Sequence, residues 1–153
     1  MFFYSVAAMA IPEDNEADIH ITADKFTYNH ETGIATYIGN VLAVQGTRQL
    51  TGDEMQVYRL ADGEIEKIIT IGEQAKYQAI TDPNKPMLHA RADTIIFEVT
   101  EDYLTLIEDA HVKQGGDEYE SPLIEYDTLR KIVKSPQSEQ GRTTIILQPK
   151  EDS

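Results

Sequence analysis

Ile19-His20-Ile21-Thr22-Ala23-Asp24-Lys25-Phe26-Thr27-Tyr28 sets apolar and polar side chains in alternation. A period of two is the mark of a strand with one buried face; an amphipathic helix repeats about every 3.6 residues. Phe26 and Tyr28 therefore share a face. Met55-Gln56-Val57-Tyr58 alternates in the same way. Ile95, Phe97 and Val99 share one side of a further run, and Ile124 and Tyr126 share a side of another. Val41-Leu42-Ala43-Val44 is a compact apolar run closed by Gln45-Gly46. No long stretch keeps a helical apolar period.

Turn residues punctuate these runs at Thr32-Gly33, Gly39-Asn40, Gly52-Asp53, Asp62-Gly63, Gly115-Gly116 and Ser121-Pro122. Longer loops are expected at Asp82-Pro83-Asn84-Lys85-Pro86 and at Ser135-Pro136-Gln137-Ser138-Glu139-Gln140-Gly141. Many short strands at close spacing predict an all-β barrel, sandwich or jelly roll.

The quoted stretch has a second copy. Ala23-Asp24 and Ala92-Asp93 are 69 residues apart, and at the same offset Thr36 meets Thr105 and Gln45-Gly46 meets Gln114-Gly115. Phe26 and Tyr28 then fall on Ile95 and Phe97, and Met55 and Val57 on Ile124 and Tyr126. Lys67-Ile68-Ile69 matches Lys131-Ile132-Val133 at an offset of 64. Two copies of one strand unit, joined near the proline loop and stacked on one core, account for this pattern.

Composition removes several function classes. The 153 residues suffice for one core. With 13 Lys+Arg against 27 Asp+Glu the net charge is -14, which argues against nucleic acid or an anionic membrane as main partner. Cysteine is absent, so disulfides, thiolate zinc sites and thiol nucleophiles are excluded. His20, His30, His89 and His111 form no H-x-H or H-x-x-x-H pair, and neither a G-x-S-x-G nor a phosphate-loop pattern occurs. The chain is expected to be no enzyme and to need no cofactor or metal. Asp24 and Asp93, at matched positions, read as turn or strand-start hydrogen-bonding residues.

Phe2 to Ile11 is mostly apolar and ends abruptly at Pro12-Glu13-Asp14. Ala8-Met9-Ala10 fits the small-x-small rule for signal-peptide cleavage. The run is too short to cross a bilayer as a helix. Residues 1–10 are thus expected to be a signal-peptide remnant without its basic front, and residues 11–153 a single domain.

Three ordered segments carry a resemblance. They are Ile19-His20-Ile21-Thr22-Ala23-Asp24, then Tyr37-Ile38-Gly39-Asn40-Val41-Leu42-Ala43-Val44-Gln45-Gly46, then Gly52-Asp53-Glu54-Met55-Gln56-Val57-Tyr58, with the pattern returning from Ala92-Asp93 to Gln114-Gly115. Together, over about Ile19 to Leu147, they resemble the OstA-like family of lipopolysaccharide-transport proteins typified by LptA. The resemblance implies an open, slightly twisted antiparallel β-jelly roll with an apolar interior, built from two repeated strand units. It implies a periplasmic protein that binds the lipid A part of lipopolysaccharide, stacks head to tail, and bridges inner-membrane and outer-membrane OstA-like partners of the Lpt complex. It places lipid contacts at Ile19, Ile21, Tyr77, Phe97 and Val99. The loop around Asp82 to Pro86 departs from the family pattern, which bears most on Tyr77.

The chemistry is consistent with that role. Exposing one CH₂ to water costs ~0.8 kcal/mol, so a twelve-carbon acyl chain costs on the order of 10 kcal/mol. A carrier therefore needs a greasy trough with a polar outside, and period-two strands supply both faces. A β-repeat scaffold without lipid cargo, or a carrier of another envelope lipid, would show similar sequence. A carrier should leave an accessible apolar groove, whereas a scaffold should fill its interior.

Overall fold

A computed structural model describes residues 14–149, so the expected signal-peptide remnant lies outside the described residues. A single 3-10 turn at Asp14–Glu16 precedes ten strands. They are β1 (His20–Thr22), β2 (Lys25–Asn29), β3 (Ile34–Gln45), β4 (Arg48–Arg59), β5 (Ile65–Ala79), β6 (Leu88–Glu98), β7 (Tyr103–Gln114), β8 (Asp117–Asp127), β9 (Ile132–Lys134) and β10 (Thr144–Ile146). All belong to one antiparallel sheet in which β3 to β8 follow one another as a meander. At one end β1 and β2 both pair with β3; at the other β9 and β10 both pair with β8.

Every long strand is interrupted at the same level. The register shifts between Ile38 and Val41 on β3, Thr51 and Glu54 on β4, Ile71 and Ala75 on β5, Arg91 and Thr94 on β6, and Ile107 and Ala110 on β7. A bulge bends its strand, and bulges in line put one crease across the whole sheet. The effect is measurable. Tyr77 lies on the same strand as Ile68, the cross-strand partner of Phe97. A straight strand would hold Tyr77 and Ile68 about 30 Å apart, yet the Tyr77 and Phe97 rings are 6.5 Å apart. The sheet is folded onto itself.

The fold makes two walls. The first holds Val41–Gln45, Arg48–Thr51, Ala75–Ala79, Leu88–Arg91, Ala110–Gln114 and Asp117–Ser121. The second holds Ile34–Ile38, Glu54–Arg59, Ile65–Ile71, Thr94–Glu98, Tyr103–Ile107 and Leu123–Asp127. The first wall turns inward small residues (Ala43, Ala79, Ala90 and Ala110) among Leu50, Tyr77, Leu88 and Val112. The second turns inward Met55, Val57, Ile68, Ile95, Phe97, Leu104, Leu106, Ile124 and Tyr126. Small against large lets the faces interlock at crystal-like density. Each fully buried Ile, Leu or Phe contributes about 1.5–3 kcal/mol.

Three expected turns belong to the crease instead. Gly39-Asn40, Gly52-Asp53 and Ser121-Pro122 lie within β3, β4 and β8. Left-handed residues supply the bend: Gly39 (φ 88) and Asn40 (φ 45) on β3, Glu108 (φ 66) and Asp109 (φ 49) on β7. Pro122 sits where the ladder between β7 and β8 skips, so its missing N–H costs no bond there. The loops expected at Asp82–Pro86 and Ser135–Gly141 connect β5 to β6 and β9 to β10.

The duplication is visible in the backbone. Gly33, Gly39, Asn40 and Gly46 have positive φ, and so do Asp102, Glu108, Asp109 and Gly115, each 69 residues later. Strand β3 maps onto β7 end to end, and β1 with β2 maps onto β6. The first copy of that strand is broken at Asp24, whose N–H donates to the Gly39 carbonyl at 2.9 Å. The Asn40 amide donates to Asp24 Oδ2 at 3.0 Å. A Cβ on Gly39 would lie 2.5 Å from that same oxygen. Gly39→Ala should therefore lower stability by about 2 kcal/mol, through both the positive φ and the clash, as read from the urea midpoint.

Candidate functional site

The apolar space between the walls is the site. Tyr77 on β5 and Phe97 on β6 face each other across it, both almost wholly buried. Ile19, just before β1, reaches the same place, and together with Ala43, Leu50 and Ile68 they line one crevice. Ile21 on β1 and Val99 just beyond β6 pack against the same core without lining that crevice. Three of the five expected positions thus meet, and two flank them.

Apart from Gln45 and Arg48 the lining is apolar, as the alternation requires, but the walls are nearly in contact. The crevice measures about 20 Å³. That is room for about one water-sized sphere, not for an acyl chain. Entry of a chain has to move side chains or part the walls.

A polar clasp holds the lips together. Arg48 opens β4 in the same phase as Leu50, so it points inward although it follows the Gly46-Thr47 turn. Its Nη2 lies 3.0 Å from Asp102 Oδ1, at the tip between β6 and β7 on the opposite wall. That oxygen has no aligned hydrogen bond, so the contact is Coulombic. Arg48 Nε is 3.8 Å from Asp14 Oδ2, and its guanidinium stands 5.1 Å from the Phe97 ring centroid. Asp14 is itself held by the Thr47 N–H at 2.8 Å and the Thr47 hydroxyl at 2.7 Å. Gly46 permits this, since a Cβ there would meet Asp14 Oδ1. A second polar contact lies further along: Thr81, in the loop after β5, accepts from Gln114 Nε2 at 2.8 Å, near the Tyr126 hydroxyl of the opposite wall.

These surroundings set two phenols. Burial pushes the Tyr77 hydroxyl far above the ordinary tyrosine range, against the pull of Arg48. Burial also raises Tyr126, against the pull of nearby Thr81 and the charge of Arg48. Both stay protonated wherever the protein is folded near neutrality. Arg48, Asp14 and Asp102 escaped the sequence reading. The one available signal was the phase of Arg48 with Leu50.

The inner face is bare at both ends of the sheet. Phe26 and Tyr28 on β2 pair with Tyr37 and Ala35 and so face the interior side, yet they are 58 % and 36 % exposed. Ile145 on β10 pairs with Tyr119, which packs on the core, and it is 55 % exposed. The interior therefore continues to both edges, where neighbouring strands stop.

Comparison with known proteins agrees with this architecture. Residues 20–132 match the model of the family described as LptA/(LptD N-terminal domain) LPS transport protein. The chain belongs to this family. It is 33 % identical over 153 residues to the lipopolysaccharide export system protein LptH of Pseudomonas aeruginosa, covering 95 % of this chain and 87 % of that one. It is 25 % identical over 146 residues to the lipopolysaccharide export system protein LptA of Escherichia coli, covering 95 % and 78 %. The crystal structure of the Pseudomonas LptH, titled a periplasmic component of the lipopolysaccharide transport device, superposes with a TM-score of 0.83 at 31 % identity, over 90 % of this chain and all of that one. The folded jelly roll read from the LptA-like segments is thus the family's fold, and the lipopolysaccharide-transport assignment stands with it.

Removing Arg48 alone should leave two buried carboxylates facing each other. Arg48→Ala should cost about 3 kcal/mol in urea unfolding, whereas the double change Arg48→Leu with Asp102→Leu should recover most of that loss. Equal destabilisation by both would mean that the clasp is held by packing rather than charge.

Proposed function

We propose that the chain is a periplasmic lipopolysaccharide carrier that receives the acyl chains of lipid A between its two walls. In this reading Ile19, Ile21, Tyr77, Phe97 and Val99 touch the lipid. The cargo then moves along copies of the chain stacked head to tail, toward OstA-like partners of the Lpt system at the inner and outer membranes. The role is that of a non-catalytic carrier exported by a signal peptide, with residues 11–153 acting as one domain.

The observation that carries the reading is the apolar inner face, continuous from Phe26 on β2 to Ile145 on β10 and uncovered at both ends. Among the described residues the terminal strands also pair on one side only, which leaves the other side of their backbones available for strand addition. A second copy docked edge to edge would prolong both the ladder and the greasy interior. Such a heterologous contact does not close on itself, so it grows as a filament. Apart from the clasp at its lip, the seam offers branched and aromatic groups. Similar sites in series let a chain slide without one deep well.

The narrow crevice favours a second reading, a β-repeat scaffold of the envelope that carries no lipid. A photo-crosslinking residue at Phe97 or Ile19 separates the two. It should capture labelled lipopolysaccharide, in preference to phospholipid, while the same group at Gln56, which points outward between Met55 and Val57, should not. No capture at either inner position, with the protein folded, would leave the scaffold. Sedimentation should show oligomers that grow with protein concentration and are weakened by Ile145→Lys; a monomer at all concentrations would remove the stacking.

A further inference from the structure

The outer face of the first wall carries a feature that lipid carriage through the seam does not use. Two cross-strand rows run across it. One is Thr51, Lys76, Arg91, His111 and Glu120; the other is Gln49, Gln78, His89, Lys113 and Glu118. Both rows point outward, because Leu50, Tyr77, Ala90 and Val112 between them are buried inward. The twist of the sheet makes a hollow of about 420 Å³ here, lined by Lys76, His89, Arg91, His111 and Lys113 with neutral Gln49, Thr51 and Gln78.

The charges in this hollow are unusual for the chain. It has 13 Lys+Arg in total and twice as many acids, yet Lys76 stands directly opposite Arg91. Like charges directly opposite on a sheet are destabilising. Neither forms an ion pair among the described residues, and both are exposed. The acids stand outside it: Glu118 lies 3.4 Å from Lys113, Glu120 lies 3.5 Å from His111, and Asp93, Glu108 and Asp109 line an adjoining hollow that shares Arg91 and His111. Three cations and two imidazoles therefore converge on a space that contains no carboxylate of its own.

We propose that this hollow is a binding site for a phosphate group, separate from the lipid seam and divided from it by the sheet. A phosphate offers three oxygens, which suits a guanidinium fork on one side and an ammonium point charge on the other. A carboxylate would satisfy Arg91 and leave Lys76 without a partner. The volume lies within the ~300–1,000 Å³ of ordinary ligand sites, so the hollow has room for a sugar attached to the phosphate. The phosphate could belong to a saccharide headgroup or be free in solution, and the chemistry at Lys76 and Arg91 is the same in both cases.

The test uses the purified full chain, labelled with ¹⁵N, titrated at low salt with glucosamine 1-phosphate, inorganic phosphate, and glucosamine as the phosphate-free control. Saturable shifts confined to the backbone amides of residues 76, 89–91 and 111–113 are expected with both phosphates and not with glucosamine. Tighter binding of the sugar phosphate would assign the site to a headgroup; equal binding would assign it to free phosphate. The double variant Lys76→Glu with Arg91→Glu changes exposed side chains only. It should keep the wild-type unfolding midpoint and the Phe97 lipid crosslink, yet lose roughly tenfold or more in phosphate affinity, the scale of one charge-assisted hydrogen bond. Retained crosslinking makes the result independent of the carrier reading. Shifts spread over the whole surface, or unchanged in the variant, would overturn the site. So would loss of self-association in the variant with no response to either phosphate, which would make a second copy the occupant.

Discussion

The structure depends on one geometric constraint: the long strands of the meander bend at the same level. A twelve-residue strand in a flat sheet would leave both faces wet. Folding the sheet along one line converts a single antiparallel meander into two walls that bury each other. The bend requires backbone that ordinary strand residues resist. It is supplied by left-handed pairs at Gly39-Asn40 and Glu108-Asp109, by the skip at Gly52-Asp53, and by the break at Pro122. Hydrogen bonds from Asp24 and Asn40 then fix the crease at the first edge. Burial is tightest beside that line: Met55, Ala75, Ala92, Ile95, Leu106 and Ile124 have essentially no exposed surface.

From the crease the walls extend toward lips that meet less perfectly. There the packing is finished by ions and polar groups: Arg48 between Asp14 and Asp102, and Gln114 on Thr81. The distribution has a mechanical meaning. Apolar contact at the hinge is non-directional and tolerates small changes of angle, whereas the ion pair at the lip is broken or made. A wall that parts under an entering acyl chain would keep most of its buried surface and lose the clasp first. A buried ion pair contributes little net stability over an apolar replacement, so it holds a closed state without greatly deepening it.

Much of this was legible in the strand alternation. Period two identified the inward residues of β4, β6 and β8, and the offset of 69 identified the duplication that the φ angles repeat. What misled was punctuation. Gly39-Asn40 and Ser121-Pro122 carry the same chemistry as hairpin turns, because a crease and a turn both ask for left-handed or unpaired backbone. Only the pairing of flanking residues on both sides of the break distinguishes them, and that is a long-range fact. Phe26 shows the complementary difficulty. Its phase assigns it to the interior correctly, but exposure is decided by the strand that is missing beside it. Arg48 was hidden by its type, since a cation after a turn is ordinarily solvated and its partner carboxylates lie 34 residues upstream and 54 downstream.

The charge of the molecule can then be understood by location. An interior that accepts anionic amphiphiles does not need a cationic protein, because the acyl chains supply the attraction and the excess of acids keeps the outer surfaces solvated. Against that background Lys76, Arg91 and Lys113 are a local exception on one wall. Arg48 is a different exception, neutralised by two carboxylates and turned toward the seam. Lys76 and Arg91 are free to meet an anion from solution, with Lys113 held beside them by Glu118; Arg48 is not free until the lips separate. The same strands therefore present an exposed cationic surface outside and a latched cation inside, and only the inside one, which pairs across the lips, is coupled to the angle between the walls.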